Sequence, residues 1–226
     1  MPLRVLLLAA LACAPALRAQ SPVLQPERLV PSTDTMYVVQ GGRDTIATTV
    51  QTLRRVTVDG RDLWQVEYAF DAGVNLRMAD TTTFDVATLL PHAQVRVGGG
   101  RRLEVAFAGT EARLRTRDGA DEPAEVVRRF EQPLFAGSTM DVIYRALPLA
   151  EGYATRIPYF LPESPVARWI DVRVTGPEDV PSRGGAVRAW RVEAGSPSGS
   201  PDVFWIAVAD RAFIRAEHPG GMTTIR

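Results

Sequence analysis

The chain contains no lysine and only one cysteine, Cys13, and its histidines number two. Its 26 arginines are matched by 26 acidic residues. Each shortage excludes something. Zinc and iron sites draw on several His, Cys or carboxylate ligands at close spacing. His92 and His218 stand in separate segments, and neither has a second ligand two or four positions on, so no metal and no other cofactor is expected. A near-neutral balance lacks the clustered positive charge that nucleic acids and anionic membranes select, so a nucleic-acid partner is not expected either. The arginines could fork onto phosphate or carboxylate groups, but they are dispersed, as biased base composition would leave them. No G-x-S-x-G elbow occurs. Gly195-Ser196-Pro197-Ser198-Gly199 has the wrong spacing and a proline inside it. A Ser–His pair drawn from distant segments stays open.

Long apolar runs are also missing. Val5–Leu11 is the first, and it falls well short of the ~20 residues that span a bilayer as a helix. Arg4 precedes it, and Ala12-Cys13-Ala14-Pro15-Ala16-Leu17-Arg18-Ala19 follows with small residues. Charge, short apolar core and small-residue exit define a secretory leader, so residues 1–19 are expected to be a signal peptide cleaved after Ala19. Export then places the chain in the periplasm or outside the cell, and no transmembrane segment is expected in what remains. The rival use of Cys13 as a lipidated first residue is not expected, because Leu11 in Ala10-Leu11-Ala12-Cys13 sits one place too late.

Residues 20–33 read as a linker punctuated by Pro22, Pro26 and Pro31. Residues 34–218 read as a single β domain, and 219–226 as a flexible tail. Trp64, Val66, Tyr68 and Phe70 alternate with Gln65, Glu67 and Ala69, the two-residue period of a half-buried strand. Asp59-Gly60 marks the hairpin before it, since both residues tolerate the positive φ of a type I′ turn. Gly98-Gly99-Gly100 is a turn into Leu103, Val105 and Phe107 and offers no phosphate a helix N-terminus. Glu111–Arg117 reads as a polar ribbon at an edge. Ser138–Leu147 is the best helix, with Ser138 as cap, Asp141 in its first turn, and Met140, Ile143, Tyr144 and Leu147 on one face. Val203–Ala209 is apolar on both faces, as a central strand covered on both sides would be. The expected fold is all-β and mainly antiparallel, a single curved sheet or incomplete β-barrel with one short helix across it.

Asp141–Leu149 followed by Gly152-Tyr153, the closing Phe204-Trp205-Ile206-Ala207-Val208-Ala209-Asp210-Arg211, and Thr81–Asp85 before Thr88-Leu89-Leu90-Pro91 form an ordered set of features. In that order the chain resembles exported bacterial β-sheet families of unknown function. Their fold is similar to that of the lipoprotein-localisation (Lol) carriers, an incomplete β-barrel wrapped around helices with an apolar concavity. The resemblance implies a cavity and brings no catalytic residue with it.

The carboxylates Asp118, Asp121 and Glu122, and Glu178 with Asp179, fall in Gly/Pro-rich connections, where solvated acids are usual and calcium is the one conceivable ion. Large aromatics are left. Trp64, Tyr68, Phe70, Phe107, Tyr144, Tyr159 and Trp190 either fill the core or line a cavity for an apolar or lipid-like small molecule, as small barrels can. The expected function is therefore that of a noncatalytic envelope protein holding such a ligand. Two alternatives stand beside it: a module that binds another envelope protein through a sheet edge or its concave face, and a hydrolase whose site is dispersed in sequence.

Overall fold

The computed structural model describes residues 22–42, 44–73, 76–196 and 199–226. The leader expected at 1–19 and part of the Gly195–Gly199 loop lie outside them.

Among the described residues one sheet contains fifteen strands. The first eight are β1 (Ser32–Gln40), β2 (Asp44–Val58), β3 (Arg61–Asp71), β4 (Arg77–Asp85), β5 (Pro91–Gly98), β6 (Arg101–Ala108), β7 (Glu111–Asp118) and β8 (Ala124–Arg129). They form an antiparallel meander in chain order. After the two-residue β9 (Phe135–Ala136) comes the helix α1 (Met140–Arg145). The chain then returns through β10 (Ala154–Phe160), β11 (Arg168–Ser182), β12 (Gly185–Gly195), β13 (Asp202–Ala207), β14 (Phe213–His218) and β15 (Met222–Ile225). This second meander joins the first where β15 pairs with β1. Only β9 and β10 run parallel. The two ends of the sheet, β8 and β9, do not pair, so the barrel is incomplete.

Local chemistry explains several strand ends. Asp59 and Gly60 have φ of 49° and 74°, the left-handed pair that a tight right-twisted hairpin needs. Register shifts at Val38/Val39, Thr83/Phe84, Val174/Gly176 and Trp205/Ile206 mark bulges, which bend and twist a sheet more strongly than a regular ladder. β13 lies between β12 and β14, as its two apolar faces require.

Three expectations come out differently. Residues 222–225 do not trail away, because Tyr37–Gln40 on one side and Arg215–His218 on the other pair with them. The stretch 20–33 ends in strand, with Ser32 and Thr33 in β1, and Leu29 buried in the main core. The free edge is β8 and not Glu111–Arg117, since β7 pairs with both β6 and β8.

The helix is shorter than its apolar pattern suggested. Gly137–Thr139 forms a 3-10 turn, and no side chain caps α1. A Cβ on Gly137 would lie 2.5 Å from the Leu161 side chain and 2.9 Å from the Phe160 carbonyl oxygen, so only glycine fits where this turn presses on β10. Val142, Ile143, Ala146 and Leu147 are fully buried against Trp64, Val66, Ile157, Val174 and Val192. Each large aliphatic side chain buried this way contributes about 1.5–3 kcal/mol. Arg211 clamps the far end of the helix, its Nη1 donating to the carbonyls of Arg145 at 2.8 Å and Leu147 at 2.9 Å. These are the carbonyls that a helix C-terminus leaves without internal partners.

Candidate functional site

Two features occupy the inward face of the sheet. The first is a polar row in strand register: Asp34 faces Gln51, Gln51 faces Tyr68, Tyr68 faces Asp80, and Asp80 faces Arg96. A row of this kind crosses β1 to β5 on the side where greasy residues would ordinarily stand. Tyr68, Asp80, Arg96 and the Gln51 amide nitrogen find partners within it or in neighbouring segments, whereas among the described residues Gln51 Oε1 and the Asp34 carboxylate accept no hydrogen bond. Gln51 Nε2 donates to the Tyr68 hydroxyl at 2.8 Å and also to Asp141, whose carboxylate accepts from Tyr68 as well. Gln94 Nε2 donates to Asp80 at 2.8 Å and to Ser138 Oγ at 3.0 Å. Arg96 Nε meets Asp80 at 2.7 Å, and Arg226 forms an ion pair with Asp34 at 2.8 Å. Ser138, expected as the helix cap, instead ties the 3-10 turn to β4 and β5, and Asp141 ties α1 to β2 and β3. The helix is thus seated by hydrogen bonds at one end and by apolar packing along its face.

Burial, and then the Asp141 charge, push the Tyr68 hydroxyl well above its ordinary value of 10.0. The folded protein therefore keeps this proton when an unfolded tyrosine has lost it. Stability linked to Tyr68 is fully present below about pH 10 and is lost as pH rises beyond it. Tyr68→Phe is expected to cost about 1–3 kcal/mol at neutral pH by leaving buried partners short of a hydrogen bond. Its stability should also fall less steeply than wild type above pH 10. Urea unfolding followed across that range measures both effects, and equal slopes for the two proteins would contradict the assignment.

The second feature is a groove of about 570 Å³ on the inward side of β4 to β8, lined by no residue of α1. Met78, Leu103, Leu114 and Val126 supply its apolar floor, and Leu76 closes one end. Gly98 eases the fit there, because a Cβ would press on the Arg77 carbonyl oxygen at 3.0 Å and on Met78 at 3.2 Å. Pro162 and Glu163, on the connection between β10 and β11, overhang it. Arg96 Nη1 holds Glu163 at 2.7 Å, and Arg128 Nη1 donates to the Pro162 carbonyl at 2.9 Å and to that of Ser164. These contacts clasp the second meander to the first across the open side of the barrel. Below the clasp, Phe160 of β10 packs edge-on against Phe107 and Phe130, each at 5.7 Å, and joins Leu103, Val105 and Leu114 in a second core. A volume of 570 Å³ falls within the range of about 300–1,000 Å³ common to small-molecule sites.

The aromatics singled out from the sequence are distributed around this groove without lining it. Trp64 and Tyr144 are buried in the main core, with Tyr144 4.8 Å from Phe204. Tyr68 belongs to the polar row. Tyr159 and Trp190 are half-buried against the main core, and Phe107 buttresses Phe160. Phe70, on the same face of β3 as Tyr68 and opposite Met78, borders a shallow trough at the end of β2 to β5 whose lining continues past Val50, Ala69, Ala79 and Val97. Sequence reasoning missed the groove residues and the polar row. Asp80 and Thr82 gave the available signal, because they fall between Met78 and Phe84 at inward positions of β4.

Several of the remaining candidates have structural partners. Glu178 accepts the Trp205 indole N–H at 2.6 Å, and Asp118 pairs with Arg101 at 3.2 Å. Among the described residues no group of three or more His, Cys, Asp or Glu side chains could hold a metal ion. His218 Nδ1 lies 2.8 Å from Asp202, linking β14 to β13. Such a pair is two-thirds of a Ser–His–Asp arrangement. Among the described residues, however, no hydroxyl hydrogen-bonds the imidazole, which meets Phe204 edge-on at 6.2 Å.

Fold and groove together define an open, curved antiparallel sheet with a seated helix and an apolar hollow beside it. The chain belongs to the DUF3108 family of proteins of unknown function, whose family model matches residues 35–224. No curated protein matches the chain. Among the described residues no helix is long and apolar enough to cross a membrane.

Proposed function

We propose that the chain is an exported envelope protein, periplasmic or extracellular, that holds a lipid-like or apolar ligand without catalysing its conversion. The groove carries this reading. It is a mainly apolar hollow beside the packed core, with Arg96, Arg128 and Glu163 in the clasp and Arg101, Thr116 and Asp118 as its other polar lining. The N-terminal leader pattern supports export, and the similarity of this order of elements to the Lol carriers supports an apolar cargo. In this reading the ligand lies over Met78, Leu103, Leu114 and Val126. Trp64, Tyr68, Tyr159 and Trp190 pack in or against the core around the seated helix and Tyr144 lies on the helix itself, so none of them meets the ligand while α1 occupies the concavity. Phe107 supports the groove through Phe160, and Phe70 serves only a ligand that extends past Met78 toward the end of β3.

The purified protein is expected to bind an environment-sensitive hydrophobic dye at one saturable site and to release it to a long-chain fatty acid. A protein that ignores both would overturn the proposal. Crosslinking in cells separates the alternative of a protein-binding module, for which a defined protein adduct with no bound lipid is the expected outcome.

A further inference from the structure

We infer that the protein pairs with a second copy of itself through β8, extending the sheet edge to edge about a two-fold axis. β8 is the only long free edge among the described residues, because β9 at the other end is two residues long and buried. Ala124–Val127 and Arg129 are exposed. The Phe130 N–H donates to the Thr110 carbonyl oxygen at 2.9 Å. Antiparallel ladders alternate bonded and free positions, so this bond fixes the parity along β8. Residues 128, 126 and 124 spend their backbone groups on β7, while Glu125, Val127 and Arg129 turn theirs outward.

One self-complementary register uses all three. Val127 faces Val127 of the other copy, and Glu125 faces Arg129 of the other copy twice, once on each side of the axis. Those side chains lie on the outer face, where Glu125 already meets Arg113 at 3.0 Å and Arg129 meets Glu111 at 3.1 Å. Pairing therefore strings Glu111, Arg129, Glu125 and Arg113 into a row of alternating charge across the seam, and a second such row is generated by symmetry. Isologous contacts of this kind close after two copies. A perpendicular two-fold axis keeps both concave faces on one side, so the two grooves, each bordered by its own Val126, would flank the joint.

Sedimentation equilibrium of the protein purified from cells expressing the full chain, from micromolar to millimolar concentration, tests this inference. A monomer–dimer equilibrium is expected. Glu125→Arg and Arg129→Glu should each weaken the dimer about tenfold, because each replaces two cross-strand attractions by two repulsions. The double variant E125R/R129E should restore it to within about threefold of wild type. Each single variant introduces one repulsion within its own copy, E125R against Arg113 and R129E against Glu111, and the double variant introduces both; monomer and dimer carry these alike, so recovery reports only the contact between copies. Val127→Pro removes an outward N–H that the isolated chain does not use, and edge strands accept proline there. It should give a monomer with an unchanged far-ultraviolet spectrum. A wild type that stays monomeric overturns the inference, as does a dimer that ignores the charge reversals or a double variant that fails to recover.

Discussion

Phe160→Ala is expected to lower the unfolding free energy by about 3–5 kcal/mol, the usual cost of emptying a buried phenylalanine site. Phe160, from β10 of the second meander, is fully buried, and its neighbours are Leu103, Val105, Leu114 and Phe107 of the first meander, with Leu134 and Phe130 from the connecting segment. Among the described residues no backbone hydrogen bond closes the barrel at this side, so side-chain packing and the arginine clasp hold the walls of the groove. The substitution should therefore reduce ligand binding in the surviving folded fraction as well. Chemical denaturation gives the first quantity and dye titration of the folded protein the second. A loss of under 1 kcal/mol would mean that the two meanders are held together elsewhere.

Leu76→Glu with Val126→Glu is expected to abolish ligand retention while leaving the fold intact. Both residues line the groove and are about half exposed, at 49% and 48%, so a carboxylate can be solvated there in the empty protein. An apolar ligand covering it would strip that solvation and forfeit contacts that are each worth about 1.5–3 kcal/mol for a side chain of this size. Affinity should fall at least tenfold, since 1.4 kcal/mol already corresponds to that factor. Far-ultraviolet circular dichroism and the unfolding midpoint should stay near wild type. Unchanged affinity in a folded double variant would move the ligand away from this groove.

The strands were legible from the sequence wherever burial is one-sided. Trp64, Val66 and Tyr68 alternate because β3 has one face on the core, and Asp59-Gly60 announces its hairpin through backbone conformation alone. β13 showed its central place by being apolar on both faces. The groove and the polar row were not legible, because each depends on register between strands. Asp80 looks like any strand acid until Tyr68 and Arg96 are set on either side of it. The edge was misplaced for a related reason. The outward arginines of β7 resemble an exposed ribbon, yet its Ala112 and Leu114 are buried and β8 covers its far side. Met222–Ile225 is too short to signal a strand, and it becomes one because β1 and β14 leave a slot between them. Ser138 has the chemistry of a helix cap, but Gln94 and Thr82 offer it closer partners.

Native mass spectrometry of the protein isolated from envelope extracts without detergent tests the cradle most directly. The predicted spectrum shows the mature chain carrying one tightly held apolar molecule, which is absent from the Leu76→Glu/Val126→Glu protein prepared the same way. A wild-type chain that emerges bare from every such preparation, or an adduct that persists in the double variant, would contradict it.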